Sequence, residues 1–119
     1  MLIVTACSVS AETQALIDEY NRTIPTCTVN VDCDVKWEAA RQWVIDTPSY
    51  PIRSADETRI ETYDADSTRA GTELRVNREP LGDGVYRFIV EVDCFAIDRC
   101  PPYWETRVDF NRTVANAGQ

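Results

Sequence analysis

The sequence contains no histidine. Its absence excludes a serine or cysteine triad of the usual type, an imidazole general base and a metal site that uses histidine. A zinc site built from cysteines alone stays open, but it is disfavoured. The remaining groups that catalysis uses, such as carboxylates, tyrosines and arginines, form no recognisable motif. We therefore expect no catalytic residues, no metal and no cofactor.

Glycine is scarce as well, with 4 residues in a chain of 119. Gly82 and Gly84 are too few and wrongly placed for a loop that cradles phosphate. Together with Asp83 they instead predict a tight turn with positive φ angles between two paired strands.

Basic residues are outnumbered by acidic ones, 12 against 20, which gives a formal net charge of −8. A surface of this sign repels nucleic acid and anionic lipid headgroups, so neither is an expected partner. The charge allows a cationic partner without requiring one, because an excess of this size is also ordinary for solubility.

Five cysteines occur, at positions 7, 27, 33, 94 and 100. Cys27 lies close to Cys33 and Cys94 lies close to Cys100, so local pairing is favoured over the other connectivities that four cysteines allow. Neither pair has the Cys-x-x-Cys spacing of a redox site, and neighbouring aspartates oppose the thiolate form. We therefore predict two structural disulfides and an oxidising compartment, such as the periplasm or the cell exterior.

The unpaired cysteine, Cys7, ends the segment Val4-Thr5-Ala6-Cys7. This segment resembles the lipobox of bacterial lipoprotein signals, in which an aliphatic residue and two small residues precede the cysteine that receives the lipid. The resemblance implies that Cys7 is the lipidation site and that the chain is a small envelope lipoprotein. The match covers residues 1–7 and lacks the basic region and the full apolar region of a complete signal. The alternative is a short apolar strand with a free thiol.

No apolar run approaches the ~20 residues of a membrane-spanning helix, so membrane attachment is expected only through such a lipid. The predicted location is the periplasm or the outer membrane, or otherwise the cell exterior.

Two helices are predicted in the first half of the chain. Ser10 is a typical N-cap for a short helix within residues 8–21, although this segment is alternatively a tether between lipid and domain. Residues 26–34 are predicted as a polar loop, and Asp34 is placed to cap the main helix, residues 35–46. The predicted core stripe of that helix comprises Trp37, Ala40 and Val44, flanked by Val35, Trp43 and Ile45.

Strands and turns are predicted after residue 52. The run 84–94 alternates apolar and polar residues, which is typical of an antiparallel strand with one buried face. Further strands are predicted at 59–63, 72–78 and 103–111, and a turn at 64–68. The charged residues predicted on the outer face of this sheet, where opposite charges pair across strands, are Glu73, Arg75, Arg87, Glu91, Glu105, Arg107 and Asp109.

These elements predict an α+β fold: one main helix packed across a four-stranded antiparallel meander sheet, with a short N-terminal helix. Residues 1–23 form the lipobox-like segment and the short helix or tether, residues 24–113 form a single domain, and residues 114–119 form a flexible tail. The helix followed by a meander is similar in architecture to the helix-grip modules of outer-membrane assembly lipoproteins of the BamC type.

The sequence favours a non-catalytic lipoprotein that binds or scaffolds another envelope protein. The alternatives are an acidic periplasmic inhibitor of a cationic enzyme such as lysozyme, or a small-ligand binder, although the serine-glycine signature of lysozyme inhibitors is absent. An enzyme that uses only carboxylates, tyrosines or arginines is the least favoured function. Because tyrosine is enriched at interfaces, Tyr50, Tyr63 and Tyr103 are the predicted contact surface; the alternative is that they lie at the edge of the core.

Overall fold

The computed structural model describes residues 9–64, 71–95 and 100–118. These residues form three helices and a five-stranded antiparallel sheet, which confirms the α+β class. In chain order the elements are α1 (Ala11–Arg22), β1 (Thr26–Thr28), α2 (Cys33–Asp46), β2 (Ile52–Ala55), β3 (Arg59–Thr62), β4 (Thr72–Gly82), β5 (Val85–Cys94) and α3 (Tyr103–Asn116).

The strand order in the sheet is β1-β5-β4-β3-β2, so the last four strands form a meander and β1 adds to the free side of β5. The predicted sheet lacks two of these strands. Residues 26–34 are predicted as a loop but contain β1, and no strand is predicted at β2. Strands of three and four residues are too short for an alternating pattern to be visible in the sequence. The turn predicted at residues 64–68 lies outside the described residues apart from Asp64.

The β4–β5 hairpin is the longest pairing in the sheet. It runs in register from Thr72 opposite Cys94 to Pro80 opposite Tyr86, and an irregularity then places Gly82 opposite Val85. Its turn has positive φ at Gly82 (100°), Asp83 (57°) and Gly84 (77°), which confirms the predicted turn. The buried residues of the hairpin are Thr72, Leu74, Val76, Phe88, Val90 and Val92. These positions alternate along each strand, so the predicted inner face is confirmed.

The three helices cover this inner face, and α1 and α2 each pack against α3. Within α2, Ala40, Trp43 and Val44 are buried, and Trp37 packs edge to face on Phe88 with 5.5 Å between ring centroids. The predicted core role of this helix is therefore confirmed. The flanking residues Val35 and Ile45 are exposed instead.

Helix α2 begins at Cys33, two residues before the predicted start. Asp34 therefore lies in the first turn and is not the cap. The residue before the helix is Asp32, whose Oδ1 accepts a hydrogen bond from the backbone N–H of Thr28 at 2.8 Å. The disulfide between Cys27 and Cys33 joins this point to β1.

Helix α1 starts as predicted, because the Ser10 side chain accepts a hydrogen bond from the backbone N–H of Thr13 at 3.1 Å. Its Tyr20 is buried in the common core. Residues 11–22 are therefore a packed layer of the domain and not a tether.

The strand predicted at residues 103–111 is wrong, because this segment belongs to helix α3. The apolar residues at 104, 108 and 110 fit a period of two, but the buried set in the structure is Val108, Phe110, Asn111 and Val114. Most of these residues are three or four positions apart, which places their side chains on one face of a helix. Thr106, which the strand prediction placed inside, instead bonds to the carbonyl of Pro102 in the first turn.

This correction moves Glu105, Arg107 and Asp109 off the sheet and onto the helical layer. Asp109 Oδ2 accepts a hydrogen bond from Trp43 Nε1 at 2.9 Å, so it joins α3 to α2. Arg107 donates to the carbonyl of Val90 at 3.0 Å, and its guanidinium lies over the ring of Tyr20. Arg107 and Asp109, which are predicted from the sequence to face solvent on a strand, therefore connect the helices to each other and to β5.

The C-terminal boundary of the fold also differs from the prediction. Helix α3 continues to Asn116, and Val114 is fully buried. Residues 114–116 therefore belong to the domain and not to a flexible tail.

Within the described residues, none of the helices is both long enough and apolar enough to cross a membrane.

The substitution Val114→Asp tests whether α3 belongs to the core. A carboxylate without a partner at a fully buried position should lower the free energy of unfolding by at least about 3 kcal/mol, measured by urea denaturation. Thr113→Asp introduces the same charge at the neighbouring exposed residue and should cost less than about 1 kcal/mol. Equal effects of the two substitutions would contradict the packing of α3.

Candidate functional site

The outer face of the sheet carries the charged residues of β3, β4 and β5, because the helices lie on the other face. Across most of this face, opposite charges are paired. Arg75 bonds to Glu91 at 2.9 Å, and Arg87 pairs with Glu79 at 2.8 Å. The cross-strand pairing predicted for the strand residues is therefore confirmed for Arg75, Arg87 and Glu91.

One rung of the β4–β5 ladder places like charges opposite each other. Glu73 and Asp93 are register partners, so two carboxylates lie directly opposite each other. Like charges at such a position destabilise a sheet. Glu73, Asp93 and Asp64 line one hollow on this face, together with Glu61, Glu91 and Arg75. Neither Asp64 nor Asp93 has an ion-pair partner among the described residues.

Two exposed aromatic side chains belong to the same end of the sheet. Tyr63 directly follows β3 and is 47% exposed, and Phe95 directly follows β5 and is 54% exposed. Tyr63 lies two residues after Glu61, and Phe95 lies two residues after Asp93. Because side chains two residues apart share a face of the sheet, both aromatic side chains are on the outer face. We call Asp64, Glu73, Asp93, Tyr63 and Phe95 the acidic aromatic surface.

The three tyrosines predicted as a contact surface are only partly brought together. Tyr63 donates its backbone N–H to the carbonyl of Pro51, so it lies beside Tyr50. The Tyr50 ring is half-buried against Gly71, where a Cβ would stand 2.8 Å from its Cζ.

Tyr103 is exposed but belongs to the helical layer. Its hydroxyl accepts a hydrogen bond from Arg107 at 2.8 Å. It is therefore not part of the acidic aromatic surface. Sequence reasoning missed Phe95, although the alternation of β5, continued by one residue, would have placed it beside Asp93.

At the opposite end of the sheet, the first disulfide closes residues 27–33, which we call the Val31 loop. Asn30 turns it with a φ of 66°, and Val31 is left 77% exposed. The backbone N–H of Val29 donates to the carbonyl of Gly84, so the loop lies beside the β4–β5 turn, where Leu81 is 53% exposed.

Asp32 holds the Val31 loop through its carboxylate. The hydrogen bond from the backbone N–H of Thr28 lowers the pKa of Asp32, and the Lys36 ammonium at 2.9 Å lowers it further. Lys36 also donates to the carbonyl of Thr26. The loop is therefore fixed by a disulfide, a charged pair and backbone hydrogen bonds together.

The local pairing of the cysteines is confirmed: Cys27 bonds to Cys33 and Cys94 bonds to Cys100. Two disulfides indicate an oxidising, extracytoplasmic environment. Cys7 and the lipobox-like segment lie outside the described residues, so lipidation stays a prediction.

Within the described ranges, no group of three or more His, Cys, Asp or Glu side chains is arranged to hold a metal ion. Exposed carboxylates beside aromatic rings are instead suited to binding lysine and arginine side chains, through ion pairs and cation–π contacts.

Comparison of the chain with protein-family models, with curated proteins and with solved structures finds no match. The lipobox interpretation and the likeness to helix-grip modules therefore remain predictions from the sequence.

The substitution Asp32→Asn tests the charged link in the Val31 loop. Because the pKa of Asp32 is lower in the folded chain than in the unfolded chain, its carboxylate stabilises the fold above the unfolded value. That contribution is lost as pH falls through the folded value. Urea unfolding should therefore show the largest deficit for Asp32→Asn near neutral pH and a vanishing deficit well below about pH 4.

Lys36→Met is the matched variant for this measurement. It removes the ammonium but leaves the hydrogen bond from Thr28, which is the largest cause of the lowered pKa. It should therefore keep most of the pH dependence. A deficit of Asp32→Asn that stays constant with pH would contradict the assignment.

Proposed function

We propose that this chain is a non-catalytic protein-binding domain of the bacterial envelope, and that its acidic aromatic surface binds a cationic segment of another envelope protein. The observation that carries the proposal is the rung of Glu73 opposite Asp93, flanked by Tyr63 and Phe95. Two facing carboxylates repel each other, and a lysine or arginine from a partner would reduce that repulsion.

The chemistry of the surface limits the kind of partner. An exposed ion pair contributes about 0.2–1 kcal/mol and an exposed cation–π contact about 0.5–1 kcal/mol. Useful affinity therefore needs several cationic side chains, which a lysine- and arginine-rich segment supplies. The net charge of −8 adds long-range attraction for such a segment and speeds its association at low salt.

The proposed location follows from the two disulfides together with the segment that ends at Cys7. In this proposal, Cys7 carries a lipid that anchors the domain to a bacterial membrane.

Intact-mass measurement tests this anchor on protein purified from the membrane fraction of a bacterium that expresses the complete gene. An acyl addition is expected on the natural chain, and the Cys7→Ser variant should lose both the added mass and the membrane association. An unmodified Cys7 in membrane-purified protein would contradict lipid anchoring.

The double variant Asp64→Asn with Asp93→Asn tests the acidic aromatic surface. The probe is a fluorescently labelled arginine-rich peptide, and the measurement is fluorescence anisotropy at low ionic strength. Removing two of the carboxylates should weaken binding roughly tenfold, since two contacts of about 1 kcal/mol or less are lost. Rising salt should weaken binding to the natural chain.

The matched control is Asp34→Asn with Asp83→Asn, which makes the same change in net charge at the opposite end of the sheet. Both aspartates are exposed and lie beside the Val31 loop. This control should bind the peptide almost as well as the natural chain. Equal losses in the two double variants would mean that only net charge attracts the peptide, which would refute the proposed surface.

A second candidate function is inhibition of a cationic enzyme such as lysozyme, and the Val31 loop favours it. A convex loop that is fixed before binding loses little conformational entropy when it enters a concave cleft. Val31 is its most exposed apolar side chain, and Asp34 and Asp83 give its surroundings the charge that suits a cationic enzyme.

Lysozyme activity in the presence of the natural chain and of Val31→Asp tests this second function. As the hot spot of this interface, Val31 would contribute at least about 2 kcal/mol, so inhibition should fall more than tenfold in the variant. Val9→Asp alters another exposed valine, on the N-terminal side of α1, and should leave inhibition unchanged. Lysozyme that stays fully active with the natural chain at low salt would refute this function.

A further inference from the structure

The two disulfides differ sharply in their access to solvent. Cys27 and Cys33 are 2% and 3% exposed, whereas Cys94 is half-buried and Cys100 is exposed. In thiol–disulfide exchange an attacking thiolate must reach one of the two sulfur atoms, so access is a condition of the reaction. A dithiol in solution therefore reaches the bond between Cys94 and Cys100 first.

This accessible bond lies next to the acidic aromatic surface. Cys94 follows Val90 and Val92 in the alternation of β5, so its side chain lies on the helical side of the sheet, whereas Asp93 lies on the outer side. Cys94 is the last residue of β5, and its neighbours in the chain are Asp93 and Phe95. Cys100 precedes the start of α3 at Tyr103 by three residues. The disulfide thus ties the end of β5, with two side chains of the surface, to the helical layer.

Contacts elsewhere hold α3 and β5 independently of this bond. Arg107 of α3 donates to the carbonyl of Val90 in β5 at 3.0 Å. Val108 and Phe110 are buried in the core. Opening the disulfide would therefore remove the covalent tie at the end of β5 without separating the helix from the sheet.

We infer that the bond between Cys94 and Cys100 is a redox switch for the acidic aromatic surface, opened by dithiol reductants while the bond between Cys27 and Cys33 stays closed. The inference rests on the proposed function of that surface. With the bond closed, Asp93 and Phe95 are held in place for a partner. With the bond open, the end of β5 is held only by its pairing with β4, in which Asp93 lies opposite Glu73 and Phe95 donates its backbone N–H to the carbonyl of Gly71. Fraying of this last part of the ladder then adds a cost to ordering Asp93 and Phe95 on binding.

The chemical step is a dithiol exchange. The thiolate of the reductant attacks one sulfur of the pair and forms a mixed disulfide, and the other protein sulfur leaves as a thiolate that takes up a proton. The second thiol of the reductant then displaces the protein sulfur. The reductant ends as a disulfide, and the protein gains two thiols. Because the reductant supplies the attacking thiolate, the carboxylate of Asp93 beside Cys94 does not prevent this step.

The first measurement treats the folded chain with limiting dithiothreitol, alkylates the free thiols and maps them by peptide mass analysis. Alkylation of Cys94 and Cys100 is expected while Cys27 and Cys33 remain joined. Opening of both bonds together, or of the buried bond first, would overturn the inference whether or not the chain binds any partner.

The second measurement compares binding of the labelled arginine-rich peptide to the oxidised chain, the selectively reduced chain and the double variant Cys94→Ser with Cys100→Ser. Affinity should fall roughly tenfold when the bond is open. Circular dichroism of the selectively reduced chain checks that the fold is kept, so the result does not depend on the folding of the variant. Reoxidation should restore binding.

The outcomes separate the two proposals. Equal peptide binding by the oxidised and the selectively reduced chain would overturn the switch and leave the proposed function standing. Failure of the oxidised chain to bind the peptide at low ionic strength would refute the proposed function, and with it the switch that rests on that function.

Discussion

The alternation of side chains along β4 and β5 is the constraint on which the rest of the structure depends. One face of the hairpin is apolar and is covered by the three helices, while the other carries charges in pairs. A shift of one residue in the pairing would exchange these faces, so the register is fixed by the burial of Val76, Phe88 and Val90. The same register places Glu73 opposite Asp93.

The helical layer is joined to this sheet by contacts that combine charge and aromatic surface. The Arg107 guanidinium lies near the rings of Tyr20, Tyr103 and Trp104 and donates to the carbonyl of Val90. A cation that leaves water needs such partners, because hydrogen bonds and ring faces replace part of its hydration. This cluster joins α1, α3 and β5.

The two ends of the sheet have different chemical character. The Val31 loop is apolar at its tip and closed by a buried disulfide, whereas the acidic aromatic surface lies beside an accessible one. Each end carries exposed side chains that the core does not require. Their separation explains why charge substitutions at one end serve as controls for those at the other.

The sequence by itself determined the features that depend on neighbours along the chain. These are the close cysteine pairs, the alternation of β5, the turn at Gly82 and Gly84, and helix α2. Tertiary structure decided that residues 103–116 form a helix. The apolar residues at 104, 108 and 110 fit a period of two, whereas the residues that become buried are Val108, Phe110, Asn111 and Val114. Tertiary structure also decided that Glu73, Asp93 and Tyr63 lie close together. These residues are far apart in the sequence, and only the order and register of the strands bring them to one end of the sheet.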